Sequence, residues 1–234
     1  MNILAVGCHP DDLEIGCSGT LAALRKQGHH VTMCHVANGD KGHAVIRPKE
    51  LSEIRAKEAR AAGALIGADV VSLQIPDLQL KAENQQAVHE LIRLIRDVKP
   101  DFIITHNPDD YMVDHQEVSK AVFDASFSAS VPHMLPDTPA YSSIVPIYYM
   151  DTLAGVNFLP EEYVDISEFI DMKIAMNDCH RSQIDWLREH DNIDFLEFVR
   201  SCSRFRGLQS GVMYGEGFRR CKAWPRMTTK RLLP

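Results

Sequence analysis

The sequence has no apolar run long enough to cross a bilayer and no excess of basic residues. A membrane-spanning helix needs about 20 apolar residues. The net charge of -7 argues against sequence-independent binding of nucleic acid, which requires a basic face. No basic segment precedes the first apolar run, so we expect no signal peptide and a cytoplasmic protein. The remaining composition, 45% hydrophobic and 24% charged over 234 residues, is typical of one globular domain with a sizeable core.

Closely spaced cysteines and the dinucleotide-binding glycine pattern are also absent. The six cysteines form no CxxC pair, which argues against a zinc finger. In a reducing compartment we expect these cysteines to be free thiols. The first glycines fall at positions 7, 16 and 19 and do not match GxGxxG, so NAD is not expected as a cofactor. We expect the glycines of the segment 16–20 to serve packing rather than anion binding.

What the sequence does contain is a regular alternation of strand-like and helix-like segments. Apolar runs at 2–8, 30–36, 70–73 and 101–106 alternate with helical patterns at 16–27, 50–66, 85–98 and after His115. This alternation predicts an α/β fold with a doubly wound, mainly parallel sheet and flanking helices.

The last third departs from this pattern but shows no linker. We therefore expect a single domain over 1–234, to which the part from about 151 to 234 adds a strand or two and helices. Strands are predicted at 144–150 and 163–166, and helices at 167–190 and 194–207. The segment 127–143 contains three prolines and predicts a surface loop that overhangs the functional site.

The most informative motif is His-Pro-Asp-Asp at positions 9–12, directly after the first strand. Ligands of open α/β sheets bind beyond the carboxyl ends of the strands, so an imidazole and two carboxylates reach the edge where such folds carry out chemistry. A second strand, 101–106, ends in another segment rich in Asp and His, 106–115. Two such strand ends indicate a metal site assembled by the fold.

Zinc fits this set of residues. It accepts histidine nitrogen and carboxylate oxygen, and a catalytic zinc site has three protein ligands and one open position. His9 and Asp12 supply two ligands from one turn. His115 is the best candidate for the third, and His106 and His35 are its rivals. The same donors also accept iron, cobalt or manganese.

The chain resembles the PIG-L/LmbE-like family of zinc-dependent deacetylases. The resemblance rests on HPDD after the first strand and on Asp114-His115 after a later strand. It extends to IRAKEARAAGALIG in the helix 50–66 and to GLQSGVMYGEGF near the C-terminus. It implies a Rossmann-like fold, an LmbE-like three-layer sandwich, and hydrolysis of an N-acetyl group from an N-acetylglucosamine-type amino sugar.

The resemblance also implies roles for individual residues. The ligands of one zinc ion per subunit map onto His9, Asp12 and His115, and the general base maps onto Asp11. Two family positions near the substrate map onto Arg55 and Tyr214. We further expect Asp40, in the polar loop 38–43 at another strand end, to contact sugar hydroxyls.

One position departs from the family pattern. The family usually carries a histidine three residues before the last ligand, paired with the aspartate that precedes that ligand. Here Met112 takes its place and Asp114 remains as a catalytic candidate. Methionine neither titrates nor donates a hydrogen bond, and the loss of one oxyanion donor typically costs about 10²–10³ in rate. The candidates to fill the role are Arg55, Tyr214, His106 and His43.

These observations leave three hypotheses open. The first is a zinc amidohydrolase that acts on a small amino-sugar substrate, with His106 among the substrate contacts. The second is a non-catalytic or very slow zinc- and sugar-binding relative, because of Met112. The third is a hydrolase of another N-acyl amine. Neither nucleic acid nor a membrane is an expected partner, and the family resemblance suggests a homo-oligomer.

Overall fold

The computed structural model describes residues 1–81 and 85–226, which form a seven-stranded sheet with helices on both faces. The strands are β1 (Asn2–Gly7), β2 (His30–Ala37), β3 (Asp69–Ile75), β4 (Phe102–Thr105), β5 (Ile147–Met150), β6 (Glu162–Asp165) and β7 (Gly215–Arg220). The helices are α1 (Asp12–Lys26), α2 (Pro48–Ile66), α3 (Gln85–Val98), α4 (Val113–Ser128), α5 (Ile170–Asp178), α6 (Arg181–Asp191) and α7 (Phe195–Ser210). The described residues do not include 227–234, the end of the predicted domain, which contains Lys230 and Arg231.

The strand order is β3-β2-β1-β4-β5-β7-β6. The first five strands pair in parallel, and β7 runs antiparallel to both β5 and β6. From β1 the chain moves outward through β2 to β3, then returns to place β4 on the other side of β1. The direction of winding therefore reverses between β1 and β4, and this is the position where open α/β sheets bind ligands. The mainly parallel, doubly wound sheet predicted from the sequence is confirmed.

Apolar side chains on both faces of the sheet hold the layers together. On one face, Leu91 of α3 and Val118 of α4 pack with Val6 and Ile103 of the central strands. On the other face, Leu21 of α1 packs with residues of β1, β4 and α5. Parallel strands that are covered on both sides are almost wholly apolar, as the sequence of β1 is. The result is the predicted three-layer sandwich.

The ends of the strands bring the predicted site residues to one edge. Helix α1 begins at Asp12, immediately after the turn that follows β1, and α4 begins at Val113, shortly after β4 ends at Thr105. Because β1 and β4 are adjacent and parallel, both turns lie at the carboxyl edge of the sheet, at the point of reversal.

Three sequence predictions about the second half were wrong in detail. The helix predicted over 167–190 is two helices, α5 and α6, with a break at Cys179 and His180. Strand β7 was not predicted, because its sequence GEGFRR contains two glycines and little alternation. The segment 127–143 does not overhang the site.

This segment lies at the amino edge of the sheet instead. Helix α4 starts at the carboxyl edge and its 16 residues span about 24 Å, so it returns the chain to the opposite edge. There the Tyr141 hydroxyl donates to the carbonyl of Pro100, just before β4. None of the helices formed by residues 1–81 and 85–226 has the length and apolar character that a membrane span requires.

Candidate metal centre

The turn after β1 presents His9, Asp11 and Asp12 in three different directions. The Asp12 carboxylate accepts a hydrogen bond from the His9 backbone amide at 2.6 Å and thereby closes the turn. Asp11, which precedes the first residue of α1, has φ 136° and ψ -23°. A residue other than glycine in this region is strained, and such strain is found where the surrounding structure enforces a functional geometry. The turn therefore separates the directions of two adjacent carboxylates.

The β4–α4 connection presents His115 in the first turn of α4. Its Nδ1 lies 3.0 Å from Asp110 Oδ2, and its Nε2 is buried without a hydrogen-bond partner. Metal-binding histidines typically bond a carboxylate through one ring nitrogen and the metal through the other. His115 thus has the arrangement of a metal ligand whose tautomer is fixed by Asp110.

Asp12 lies between two imidazoles. One of its oxygens is 3.3 Å from His9 Nδ1, and the other is 3.4 Å from His115 Nε2. Zinc–nitrogen and zinc–oxygen bonds of about 2.0–2.1 Å in tetrahedral geometry place neighbouring ligand atoms about 3.4 Å apart. Each of the two distances, which run to different oxygens of Asp12, matches the spacing of neighbouring zinc ligands. The unpaired Nε2 of His115 faces Asp12 as a ligand atom would.

Two further side chains adjoin this group. The sets Cys8, His9, Asp12 and Asp12, His106, His115 each place their donor atoms within 4.8 Å of one another. The Cys8 thiol is buried, and burial raises its pKa to about 12, so it stays protonated near neutral pH. His106 Nε2 accepts a hydrogen bond from the Cys8 backbone amide at 2.8 Å, which occupies its lone pair. The chemistry of these two side chains makes them weaker candidates than His9 for a third ligand, although among the described residues no set within this distance joins His9 to both Asp12 and His115.

His106 packs against the cluster through its contact with His115. Its ring stacks on that of His115, with centroids 3.9 Å apart. Burial and the neighbouring His115 lower the pKa of His106 to about 4, so it is neutral at physiological pH. His35, the other sequence candidate, lies elsewhere: its Nε2 is 3.8 Å from the Glu14 carboxylate, and it belongs to neither set of potential metal ligands among the described residues.

The charges of the cluster support one another. Burial disfavours the ionised form of Asp12, but His115 and His9 together lower its pKa well below the usual range. Burial likewise opposes protonation of His115, and the charge of Asp12 outweighs it and raises the pKa of His115 to about 9. The same charge raises the pKa of His9 well above its usual value against the effect of burial. The group therefore combines a firmly ionised carboxylate with two basic imidazoles.

Asp11 faces Arg55 of α2. One Arg55 amino nitrogen lies 3.0 Å from Asp11 Oδ1 and donates to the Pro10 carbonyl at 2.7 Å. Burial raises the pKa of Asp11, Arg55 and His180 lower it, and the nearby Asp12 raises it, with a net increase. The close approach of Arg55 depends on Gly39, where a Cβ would lie 2.6 Å from the Arg55 side chain and φ is +73°. Arg55 is thus a buried neighbour of Asp11.

Asp114 contacts His9 and the Leu78 backbone amide, whereas position 112 offers it no histidine. Its Oδ2 accepts a hydrogen bond from the Leu78 backbone amide at 2.8 Å and lies 3.4 Å from His9 Nε2. Met112 precedes α4 as its N-terminal boundary residue, and its amide donates to Asp110. Asp114 is therefore anchored beside His9 without a histidine at 112.

The remaining sequence candidates are engaged outside the cluster. Asp40 accepts from the Asp77 amide and pairs with Lys41. His43 accepts from two amides of its own loop and stacks on Trp186. The Tyr214 backbone amide donates a hydrogen bond to the Ser167 hydroxyl. Tyr214 directly precedes β7, which lies three strand positions, or about 14 Å, from β1. The structure does not bring these three side chains to Asp12.

Sequence reasoning missed three buried residues around the cluster. Asp110 orients His115, and its only sequence signal is a carboxylate five residues before that histidine. Glu14 and His180 form a contact of 3.4 Å beneath the turn that carries Asp11. Since 166 positions separate them, no local pattern indicates this contact.

The segment 16–20, which was considered as an anion-binding site from the sequence, binds a carboxylate of the protein itself. The Glu216 carboxylate accepts from the backbone amides of Gly19 and Thr20 at 2.9 and 2.8 Å. A Cβ at Gly19 would lie 2.8 Å from the side chain of Ile166. These contacts agree with the expected packing role of the glycines.

About half of the chain matches the model of a known protein family. Residues 4–126, which include both strand ends that form the cluster, match the family described as PIG-L, GlcNAc-PI de-N-acetylase. The chain belongs to the PIG-L family. The matched segment ends within α4, so the elements from β5 onward lie outside it.

Relatives across the family carry different activities in their names. The chain is 25% identical to the 4-oxalmesaconate hydratase of Pseudomonas putida over 96% of this chain and 90% of the relative. It is 24% identical to the diacetylchitobiose deacetylase of Thermococcus kodakarensis over 93% and 82%. In structure it is similar to the N,N'-diacetylchitobiose deacetylase of Pyrococcus horikoshii, with a TM-score of 0.82, 26% identity and coverage of 94% and 83%.

Proposed function

We propose that this PIG-L family member is a zinc-dependent hydrolase that removes an N-acetyl group from a small amino sugar of the N-acetylglucosamine type. The single observation that supports it most is Asp12 between two imidazoles, with the unpaired Nε2 of buried His115 facing it. The two similar diacetylchitobiose deacetylases favour this substrate class. The cytoplasmic location and a homo-oligomer remain predictions.

In this proposal His9, Asp12 and His115 hold the metal. A bound zinc ion supplies a Lewis acid that activates water and polarises the amide carbonyl. Asp110 keeps His115 in the tautomer that leaves Nε2 free for the metal. Asp12 is shared between the two imidazoles and is not available as a base.

Asp11 is the general base. It accepts the proton of the attacking water and passes it to the departing amine, so that amine and acetate leave. Its raised pKa brings it nearer to the working pH, which favours proton transfer in both directions. Arg55 keeps the carboxylate directed and balances its charge at 3.0 Å. Asp114 steadies His9 rather than acting with a histidine at 112.

A second candidate function is the addition of water to a carbon–carbon double bond of an unsaturated carboxylic acid. The similarity to the hydratase, which extends over 96% of this chain, favours it. A silent relative and a hydrolase of another N-acyl amine are the remaining alternatives.

The test is acetate release by the zinc-loaded chain. N-acetylglucosamine, its disaccharide and small glycosides are offered, with Asp11→Asn as the control and 4-oxalmesaconate in a parallel assay. Acetate release by the parent but not by Asp11→Asn supports the deacetylase. Conversion of 4-oxalmesaconate without acetate release supports the hydratase.

If neither acetate release nor conversion of 4-oxalmesaconate is detected, the Met112→His variant is assayed in the same way. Gained acetate release in this variant identifies a site disabled at position 112. Continued absence of acetate at full zinc occupancy shows that the amino sugars offered are the wrong substrates, and other N-acyl amines are then tested.

A further inference from the structure

A second buried polar group lies next to the metal centre. It consists of Glu14 of α1, His35 of β2 and His180 of the α5–α6 break, and we name it the Glu14 cluster. The three residues are 0%, 1% and 0% exposed. Glu14 Oε1 lies 3.4 Å from His180 Nε2, and Oε2 lies 3.8 Å from His35 Nε2. Neither carboxylate oxygen and none of the four ring nitrogens has a hydrogen-bond partner.

Such a group is a poor way to stabilise a fold. Buried ion pairs of this kind are often no better for stability than well-packed apolar residues of similar volume. Contacts of 3.4 and 3.8 Å that form no hydrogen bond do not compensate for the desolvation of a carboxylate. The placement of the Glu14 cluster therefore points to a role in positioning neighbouring groups.

Other polar side chains of α5 act on the same turn of α1. Asn177 donates from its amide nitrogen to the Glu14 carbonyl at 3.0 Å. Lys173 donates to the Ile15 carbonyl at 2.6 Å and pairs with Glu216 of β7. Together with His180, these contacts connect the first turn of α1 to a part of the chain that follows it by more than 150 residues.

The turn that they hold is the one that carries Asp11 in a strained conformation, with φ 136°. Arg55 holds the Asp11 carboxylate by an ion pair. His180 contacts Glu14, which follows Asp11 by three residues in the first turn of α1. Strain of this kind persists only where several contacts enforce it, and Arg55 is one such contact.

We propose that His180 is a positioning residue for Asp11: with Glu14 it fixes the first turn of α1, so that Asp11 keeps a direction separate from that of Asp12. Without this constraint the turn relaxes toward ordinary backbone angles. The Asp11 carboxylate then leaves the position from which it reaches the attacking water. The kinetic part of this inference rests on the proposed role of Asp11, and the structural part does not.

The structural test is hydrogen exchange in His180→Ala, with Ile184→Ala as the matched control. Ile184 is buried in α6, one turn beyond His180, and packs in an apolar cluster with Phe195 and Val199. Because Ile15 packs against the same cluster, its amide is left out of the comparison. We expect the amides of residues 12–16 to exchange at least tenfold faster in His180→Ala than in the parent. In Ile184→Ala they exchange at the parent rate after correction for global stability. Equal acceleration in the two variants would overturn the proposal. Should His180→Ala not fold, His180→Gln is measured in the same way.

The kinetic test separates positioning from general destabilisation. We expect His180→Ala to lower kcat at least tenfold with KM within twofold and zinc content unchanged, and Ile184→Ala to change kcat less than twofold. In an Asp11→Asn background, His180→Ala should lower kcat by less than a further twofold, since its effect passes through Asp11. An additive tenfold loss there contradicts the proposal. A parent chain without turnover defeats the proposed function, and the exchange rates then decide the inference alone.

Discussion

The two edges of the sheet treat buried polar groups in opposite ways. At the amino edge, the buried Arg96 of α3 donates to five backbone carbonyls of the segment that follows α4, those of Ala129, Val131, Met134, Leu135 and Thr138. At the carboxyl edge, His115 Nε2 and the side chains of the Glu14 cluster are buried without hydrogen-bond partners. Asp11 at this edge is also strained.

This difference separates structure from function. A buried donor such as Arg96 that is saturated by carbonyls stabilises a fold, and its partners need nothing further. A buried ring nitrogen without a partner costs free energy of folding unless a ligand completes it. The contrast indicates that the amino edge is built for stability and the carboxyl edge for binding and catalysis.

The largest expected effect is that of Asp11→Asn on turnover. The amide cannot accept the proton of the attacking water, so kcat should fall about 10²–10⁴-fold. Zinc content should stay at the parent value, because Asp12 and the two imidazoles are untouched. Steady-state kinetics of acetate release and metal analysis of the same preparation measure both. Undiminished turnover removes Asp11 from the role of base.

Substitutions at the amino edge of the sheet should change the free energy of unfolding rather than the activity. Arg96→Leu leaves the loop carbonyls without their donor and should lower the free energy of unfolding by about 3 kcal/mol. Arg93→Leu, three residues earlier on the same helix and partly exposed, is the control and should change it by about 0.5 kcal/mol or less. Urea titration measures the stabilities. A loss of kcat in folded Arg96→Leu would break the proposed division between the edges.

Asp110→Asn should act on the metal rather than on the fold. Removal of the carboxylate that orients His115 should weaken zinc binding about 10–100-fold. The exposed neighbour Asp109, which lies 3.8 Å from Arg219, provides the matched control, and Asp109→Asn should leave the affinity unchanged. Competition with a chromophoric chelator gives the two affinities, and equal values would exclude Asp110 as the orienting group.

The smallest effect is a change in the pH dependence of stability. In the metal-free chain the folded pKa of His115, about 9, exceeds its usual value of 6.5. Its contribution is therefore complete below pH 6.5 and is lost as the pH rises through 9. Zinc requires the unprotonated ring, so the zinc-loaded chain should gain stability over the same interval. Thermal unfolding from pH 6.5 to 9 with and without zinc tests this, and parallel profiles would contradict it.

Much of this edge could be predicted from the sequence because the information is local. The apolar run of β1 followed by His9, Asp11 and Asp12 specifies a strand, a turn and a pair of carboxylates within a few residues. The alternation of strands and helices then predicts that a second strand end meets the first. His115 became a ligand candidate on that basis, and the structure places it 3.4 Å from Asp12.

The remainder depends on directions and distances that no local pattern contains. The 127–143 loop was assigned to the wrong edge because its position depends on the direction and length of α4. His180 meets Glu14 only because the α5–α6 break packs on α1. The contact between Asp114 and the Leu78 amide likewise joins two loops, and it explains how Asp114 is held without a histidine at 112.

The zinc stoichiometry of the purified chain decides whether the carboxyl edge of the sheet is a metal centre. The parent chain and the folded variants Asp12→Asn and His115→Ala are loaded with zinc, freed of excess metal and analysed. We expect one zinc ion per parent chain and a loss of tight binding in both variants. A folded parent chain that retains no zinc, or variants that retain as much as the parent, would contradict the assignment of the carboxyl edge as a metal centre.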